Sequence, residues 1–205
     1  MKRISVLLAI IVLSFITITS TFAQNATIGI KGGLNLSNLY TDNADDENVR
    51  AGFHAGFVAD IPASDYFSIR PELLYSGKGM EGDYNIVGFQ GTQRFSLHYI
   101  EVPVLAVLKL GEYIELHGGM YGAYLLSANI ETEGSFDSSE ELDTDNFQRF
   151  DWGLAVGGQV NLIEGLGVGI RYNRGFADVA DSNTTEAFLG DAKNSVLQFY
   201  VSFGL

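Results

Sequence analysis

The chain has 205 residues, of which 46% are hydrophobic and only 18% charged, with 12 Lys and Arg against 25 Asp and Glu for a formal net charge of −13. So acidic a chain repels a phosphate backbone, which excludes nucleic acid as a partner. It contains no cysteine, which excludes a disulfide framework, a thiolate metal site and a lipid-modified cysteine at a mature N-terminus.

In chain order, the first element is basic and then apolar. Lys2 and Arg3 precede a run from Ile4 to Ile18, and Thr21-Phe22-Ala23 closes it with small residues at the two positions a signal peptidase reads. This pattern predicts a secretory signal peptide over residues 1–23, cut after Ala23. A retained anchor would need about 18 or more apolar residues, and Ser14 and Thr17 interrupt this run. Removing the leader takes away two basic residues, so the mature charge is 10 minus 25, or −15. Residues 24–205 are expected to form one domain. No later run approaches the ~20 apolar residues of a membrane helix.

The mature region divides into eight segments of strand character: Thr27 to Leu36, Ala51 to Ile61, Tyr66 to Ser76, Phe95 to Lys109, Tyr113 to Ser127, Phe150 to Leu162, Gly167 to Phe176 and Ser195 to Leu205. A tilted strand crosses a bilayer with ~9 to 11 residues, whereas ordinary strands peak near 5 or 6. The connections alternate in length. Pro62 to Asp65, Leu110 to Glu112 and Ile163 to Leu166 are tight, while 37–50, 77–94, 128–149 and 177–194 are long. Short turns on one side and long loops on the other are the asymmetry of an outer-membrane barrel, with both termini on the short-turn side.

Alternation gives a second test. In the second strand Phe53, Ala55, Phe57, Ala59 and Ile61 oppose His54, Gly56 and Asp60; in the sixth, Phe150, Trp152, Leu154, Val156, Val160 and Leu162 oppose Asp151, Gly153, Ala155, Gln159 and Asn161. One face is continuously lipid-like. A soluble ligand-binding barrel of lipocalin type would reverse that polarity. The expected fold is therefore all-β: an eight-stranded antiparallel up-and-down transmembrane β-barrel preceded by a signal peptide. In the fourth strand Pro103 cannot donate a ladder hydrogen bond, and a β-bulge is expected there. Pro71 raises the same question in the third. Gly29, Gly32 and Gly33 lack the following helix of a phosphate loop and are expected to permit curvature instead.

Projected inward, Lys31, His54, Arg70, Glu72, Glu101, Glu115, His117, Asp151, Arg171 and Asn173 crowd one lumen. Eight strands enclose barely enough room for side chains, so these groups are expected to pair as a structural plug in preference to lining a water-filled or proton-sensitive conduit. His117 and Glu115 share a face with His54 near, yet no HExxH, GxSxG or ligand-spaced histidine pair occurs. No catalytic, cofactor-binding or metal-binding residue is assigned, and enzymatic activity is not expected. The acidic residues Asp42, Asp45, Asp46 and Glu47, and Asp137, Glu140, Glu141, Asp143 and Asp145, read as solvated loops, with weak calcium binding as the competing reading.

Five motifs carry a resemblance: Gly29-Ile-Lys-Gly-Gly-Leu-Asn-Leu-Ser37, Pro71-Glu-Leu-Leu-Tyr-Ser-Gly-Lys-Gly79, Tyr99-Ile-Glu-Val-Pro-Val-Leu105, Asp151-Trp-Gly153 and Arg171-Tyr-Asn-Arg-Gly175. In this order the chain resembles the PorT-like group of outer-membrane β-barrel proteins over essentially its whole mature length. The resemblance implies insertion into outer-membrane lipid by the barrel assembly machinery and, for the namesake, a part in protein secretion and gliding. Barrels of this kind commonly end on an aromatic; Phe203 is the candidate here, two residues short of the end. The expected function is a structural or interaction barrel presenting acidic loops to an extracellular or secretion-system protein. A small passive channel and an accessory of secretion are the alternatives.

Overall fold

The computed structural model describes residues 26–40, 49–86, 89–134, 138–142, 144, 147–179 and 192–204. The predicted leader, most of the first and last long loops, and Leu205 lie outside the described residues.

Among the described residues nine strands form, in the order β1 (Thr27–Tyr40), β2 (Arg50–Ser64), β3 (Phe67–Ile86), β4 (Phe89–Leu110), β5 (Ile114–Gly134), β6 (Ser138–Leu142), β7 (Phe150–Ile163), β8 (Leu166–Asp178) and β9 (Lys193–Phe203). Eight of them close into an antiparallel ring, β1-β2-β3-β4-β5-β7-β8-β9 and back to β1, with the short β6 added to the far end of β5. The ring has no free edge at its waist, so the strands pair their backbone polar groups with one another instead of with water. The turns at 65–66, 111–113 and 164–165 lie at one end, together with the start of β1 and the end of β9. Both ends of the described barrel are thus on the short-turn side.

Side chains alternate across the wall as the pattern in sequence requires. Phe57, Leu73, Met120, Leu154, Ile170 and Phe199 are among the large apolar residues that face outward, while Lys31, Glu72, His117, Arg171 and Gln198 are buried inside. In water such a surface would be an aggregation site; in hydrocarbon it is the solvated one. Ile170 stands midway between the Leu166 turn end and Arg174 on β8. Ile170→Arg is therefore expected to cost ~2–4 kcal/mol, the range for a cation at the bilayer midplane. Urea unfolding in phospholipid vesicles measures it, and a cost near zero would mean that this wall does not meet lipid.

Two expectations from sequence are corrected. The segments 77–94 and 128–149 are not simple loops: β3, β4 and β5 run to 20, 22 and 21 residues, about twice a bilayer crossing. They project beyond the membrane as a sheet with β6 along one side. There the surrounding solvent is water, so the outward positions turn polar, as at Glu81, Arg94 and Glu131, and the lipid-type alternation that marked the strands fades. Pro103 makes no bulge. The β3–β4 ladder lapses between Pro71↔Val104 and Leu74↔Glu101 but keeps its register, and Pro103 stays opposite Tyr121 on β5. A missing N–H removes hydrogen bonds without adding a residue. The register shift in β4–β5 lies at His98/Tyr99 instead.

Candidate functional site: a sealed polar lumen

All ten lumen residues named from the sequence are buried inside the ring. They form three layers.

At the turn end Asp60 on β2 accepts from Ser68 Oγ at 2.7 Å, from Arg70 Nε at 3.1 Å and Nη2 at 3.0 Å, and from Lys109 Nζ at 2.9 Å. Arg70 also reaches Glu115 Oε2 at 2.9 Å, and Asn161 donates to Glu115 Oε1 at 3.1 Å. Arg70 follows the tight β2–β3 turn, which folds it back over Asp60 ten residues earlier.

The waist is organised by Glu72. Arg171 grips its two oxygens in a fork, both bonds 2.7 Å, and Lys31 Nζ adds contacts of 3.1 and 3.4 Å. Strands β1, β3 and β8 thus meet at one carboxylate. Lys31 Nζ also lies 3.6 Å above the centre of the Tyr200 ring, whose π face attracts the cation. Arg171 Nε stands 3.2 Å from His117 Nε2; because a guanidinium only donates, His117 accepts there as a neutral imidazole with its proton on Nδ1. His54 Nδ1 meets Asn35 Oδ1 at 2.7 Å, and Gln198 donates to the same oxygen at 3.2 Å.

Toward the long-loop end, Lys78 Nζ lies 2.8 Å from Glu101 and 3.5 Å from Asp151. Tyr121 and Asn194 donate to Asp151 at 3.3 and 3.0 Å, and Asn173 donates to Glu101 at 3.0 Å. Above this layer Phe95, Leu97, Leu125, Ala128 and Phe147 pack into an apolar cap with Val179 and Ala192.

Sequence reasoning placed Asp60 on the inward face but left Lys78, Lys109 and Asn194 out of the cluster. Lys78 and Asn194 fall in segments read as loops, although the period-two run Glu72, Leu74, Ser76, Lys78 marks the first of them as a continuing strand. With these included, the cations Lys31, Arg70, Lys78, Lys109 and Arg171 number five, against the five carboxylates Asp60, Glu72, Glu101, Glu115 and Asp151. His54, Glu115 and His117 do not converge: their partners are Asn35, Arg70 with Asn161, and Arg171. Among the described residues no group of three His, Asp or Glu side chains is placed to hold a metal ion. The acidic loop residues Asp42, Asp45, Asp46, Glu47, Asp137, Asp143 and Asp145 lie outside the described residues, and only the backbone of Glu140 and Glu141 is placed, in β6.

A closed antiparallel ring with an apolar exterior and a polar interior is an integral membrane β-barrel. The sequence says which kind: the chain belongs to the outer membrane protein beta-barrel domain family, which matches residues 22–181, and it resides in the cell outer membrane. No curated protein matches the sequence. The fold is similar to that of Neisserial surface protein A, at 14% identity and a TM-score of 0.54, with 89% of this chain and 100% of that one covered. It is also similar to Ail, the attachment invasion locus protein of Yersinia pestis, in complex with the heparin analogue sucrose octasulfate. There the identity is 15% and the TM-score 0.51, again covering 89% of this chain and 100% of that one.

Proposed function

We propose that the chain is exported by a leader over residues 1–23, inserted by the barrel assembly machinery as the domain 24–205, and acts as a non-conducting barrel with a structural or interaction role. On this reading the lumen residues are a structural plug with no catalytic role. The carrying observation is the charge balance of the lumen, five cations against five carboxylates held by direct hydrogen bonds and ion pairs. A permeating ion would have to displace those partners, each of which would be left buried and uncompensated. The apolar cap above Lys78 adds a dry constriction.

The interaction half of the proposal is supported by the sheet that projects past the membrane. Strands β3, β4 and β5 continue there for about a second bilayer length, and the connecting sequences at 42–47 and 137–145 are acidic. A basic or neutral protein segment fits such loops. A polyanion such as the heparin analogue bound by Ail does not suit loops of that composition. The five sequence motifs further support a place in the PorT-like group and, with it, an accessory part in secretion.

Planar-bilayer recording tests the closed lumen. The refolded protein is expected to leave the current at the bare-membrane level in molar salt; stable single-channel steps would move the assignment to a passive channel.

A further inference from the structure

The outer wall of β8, β9 and β1 carries a polar rung in an otherwise apolar surface. Arg174 on β8 is opposite Ser195 on β9, and Ser195 is opposite Asn38 on β1. Their side chains fall on the outward parity, in step with Ile170, Tyr172, Leu197 and Leu36. Antiparallel neighbours lie about 4.8 Å apart, so the three groups stand side by side. Tyr172 adds a hydroxyl 3.0 Å from Ser195 Oγ. Lys193 lies just above, in an ion pair of 3.0 Å with Asp178.

The height of this rung is set by register. Leu166, Phe203 and Ile30 are mutual partners at the turn end, and Arg174, Ser195 and Asn38 each stand eight residues beyond them. Eight rises of ~3.4 Å span about 27 Å along a strand, or about 21 Å across a membrane after a tilt of ~40°. The outward positions between are apolar or glycine apart from the Tyr172 hydroxyl. An arginine on the lipid face is nearly free of cost only at the interface, so the rung marks the headgroup plane on the long-loop side, which is the outside. Trp152 packs on Phe176 at 5.2 Å beside it, as aromatic residues do at that plane.

We propose that Arg174, Ser195, Asn38 and the Tyr172 hydroxyl form a binding site for a phosphate group of an outer-leaflet glycolipid. Guanidinium, amide and hydroxyl groups all donate hydrogen bonds, and a planar guanidinium matches phosphate in a two-pronged contact. The apolar wall below, Val168, Ile170, Leu197, Phe199 and Leu34, takes the acyl chains of the same molecule. A free anion would find no use for that wall, so the occupant is a lipid.

The test uses the full mature protein refolded in detergent, with native mass spectrometry for retained lipid and the fluorescence of Trp152, the only tryptophan, as an optical reporter. The ligands are lipid A carrying two phosphates, the same lipid with its phosphates removed, and inorganic phosphate alone. The diphosphorylated lipid is expected to bind at least about tenfold more tightly than the dephosphorylated one, and Arg174→Gln is expected to erase that preference. Arg94→Gln, which alters a cation on β4 away from the rung, is expected to keep it. Heat-modifiable migration verifies that each variant is folded. Should Arg174→Gln fail to fold, Ser195→Asp supplies the same test by placing a like charge against the phosphate. Equal retention of the two lipids, full preference in Arg174→Gln or Ser195→Asp, or equally tight binding of inorganic phosphate would overturn the assignment. None of these results bears on whether the lumen conducts.

Discussion

Glu72→Ala is expected to destabilise the barrel by about 3–5 kcal/mol, the cost of removing one partner from a buried ion pair. Among the described residues the carboxylate is the only anion that Arg171 and Lys31 touch at the waist, through the forked pair of 2.7 Å bonds and the 3.1 Å contact. Its removal strands two cations in a space closed to water, with His117 and the Tyr200 ring as their remaining neighbours. Relief would come only if both cations turned toward an end of the barrel, and the turn-end and loop-end layers already fill those routes. Arg94→Ala is the comparison. Its 2.8 Å pair with Glu81 is about a third exposed and stands above the membrane, where screening reduces such a pair to ~0–1 kcal/mol. Urea unfolding in vesicles, followed by gel migration without heating, reads both variants in one assay. Equal losses for the two would show that the waist is hydrated and that the closed-lumen reading is mistaken.

Gly33→Ala is expected to abolish assembly of the folded barrel, while Gly32→Ala next to it is expected to leave folding unchanged. Gly33 points inward at the β1–β9 seam where the two ends of the chain close the ring. A methyl group there would overlap the carbonyl oxygen of Phe199 and come within 2.7 Å of Tyr200 Cα, and both are backbone atoms of the partner strand. The seam cannot yield locally, because any separation removes ladder hydrogen bonds in a setting without water to replace them. Gly32 faces outward, and its methyl group would find nothing nearer than the His54 carbonyl at 3.6 Å. In refolding into detergent, Gly33→Ala should show only the slow, unfolded band and Gly32→Ala the fast one. A fast band for both would mean that the strands at the seam lie farther apart than the geometry here.

Much of this was legible from residue order. The period-two alternation along β2 and β7 identified the lipid wall, because a side chain on a strand has only two directions and the outer one here meets hydrocarbon. The same parity sorted Lys31, Glu72, His117 and Arg171 into the lumen. Their pairing was not legible. Glu72 and Arg171 are 99 positions apart, and nothing in either local sequence ranks one partner above Glu101 or Asp151. Where the strands leave the membrane the outer solvent changes to water, both faces become partly polar, and the pattern that found the strands at 27–36 or 150–162 lost 77–86 and 89–94. Lys78 was missed for that reason.

The amino-acid order by itself determined the class of solvent on each face, the crossing strands and their up-and-down connection, since each depends on neighbours one or two residues away or on the length of a turn. Only the closed ring decided the rest. Register brought Arg174, Ser195 and Asn38 into one rung and Lys31, Glu72 and Arg171 into one ion cluster. Those groupings depend on how far each strand slides against the next before the circle shuts, a quantity summed over eight pairings and carried by no single segment.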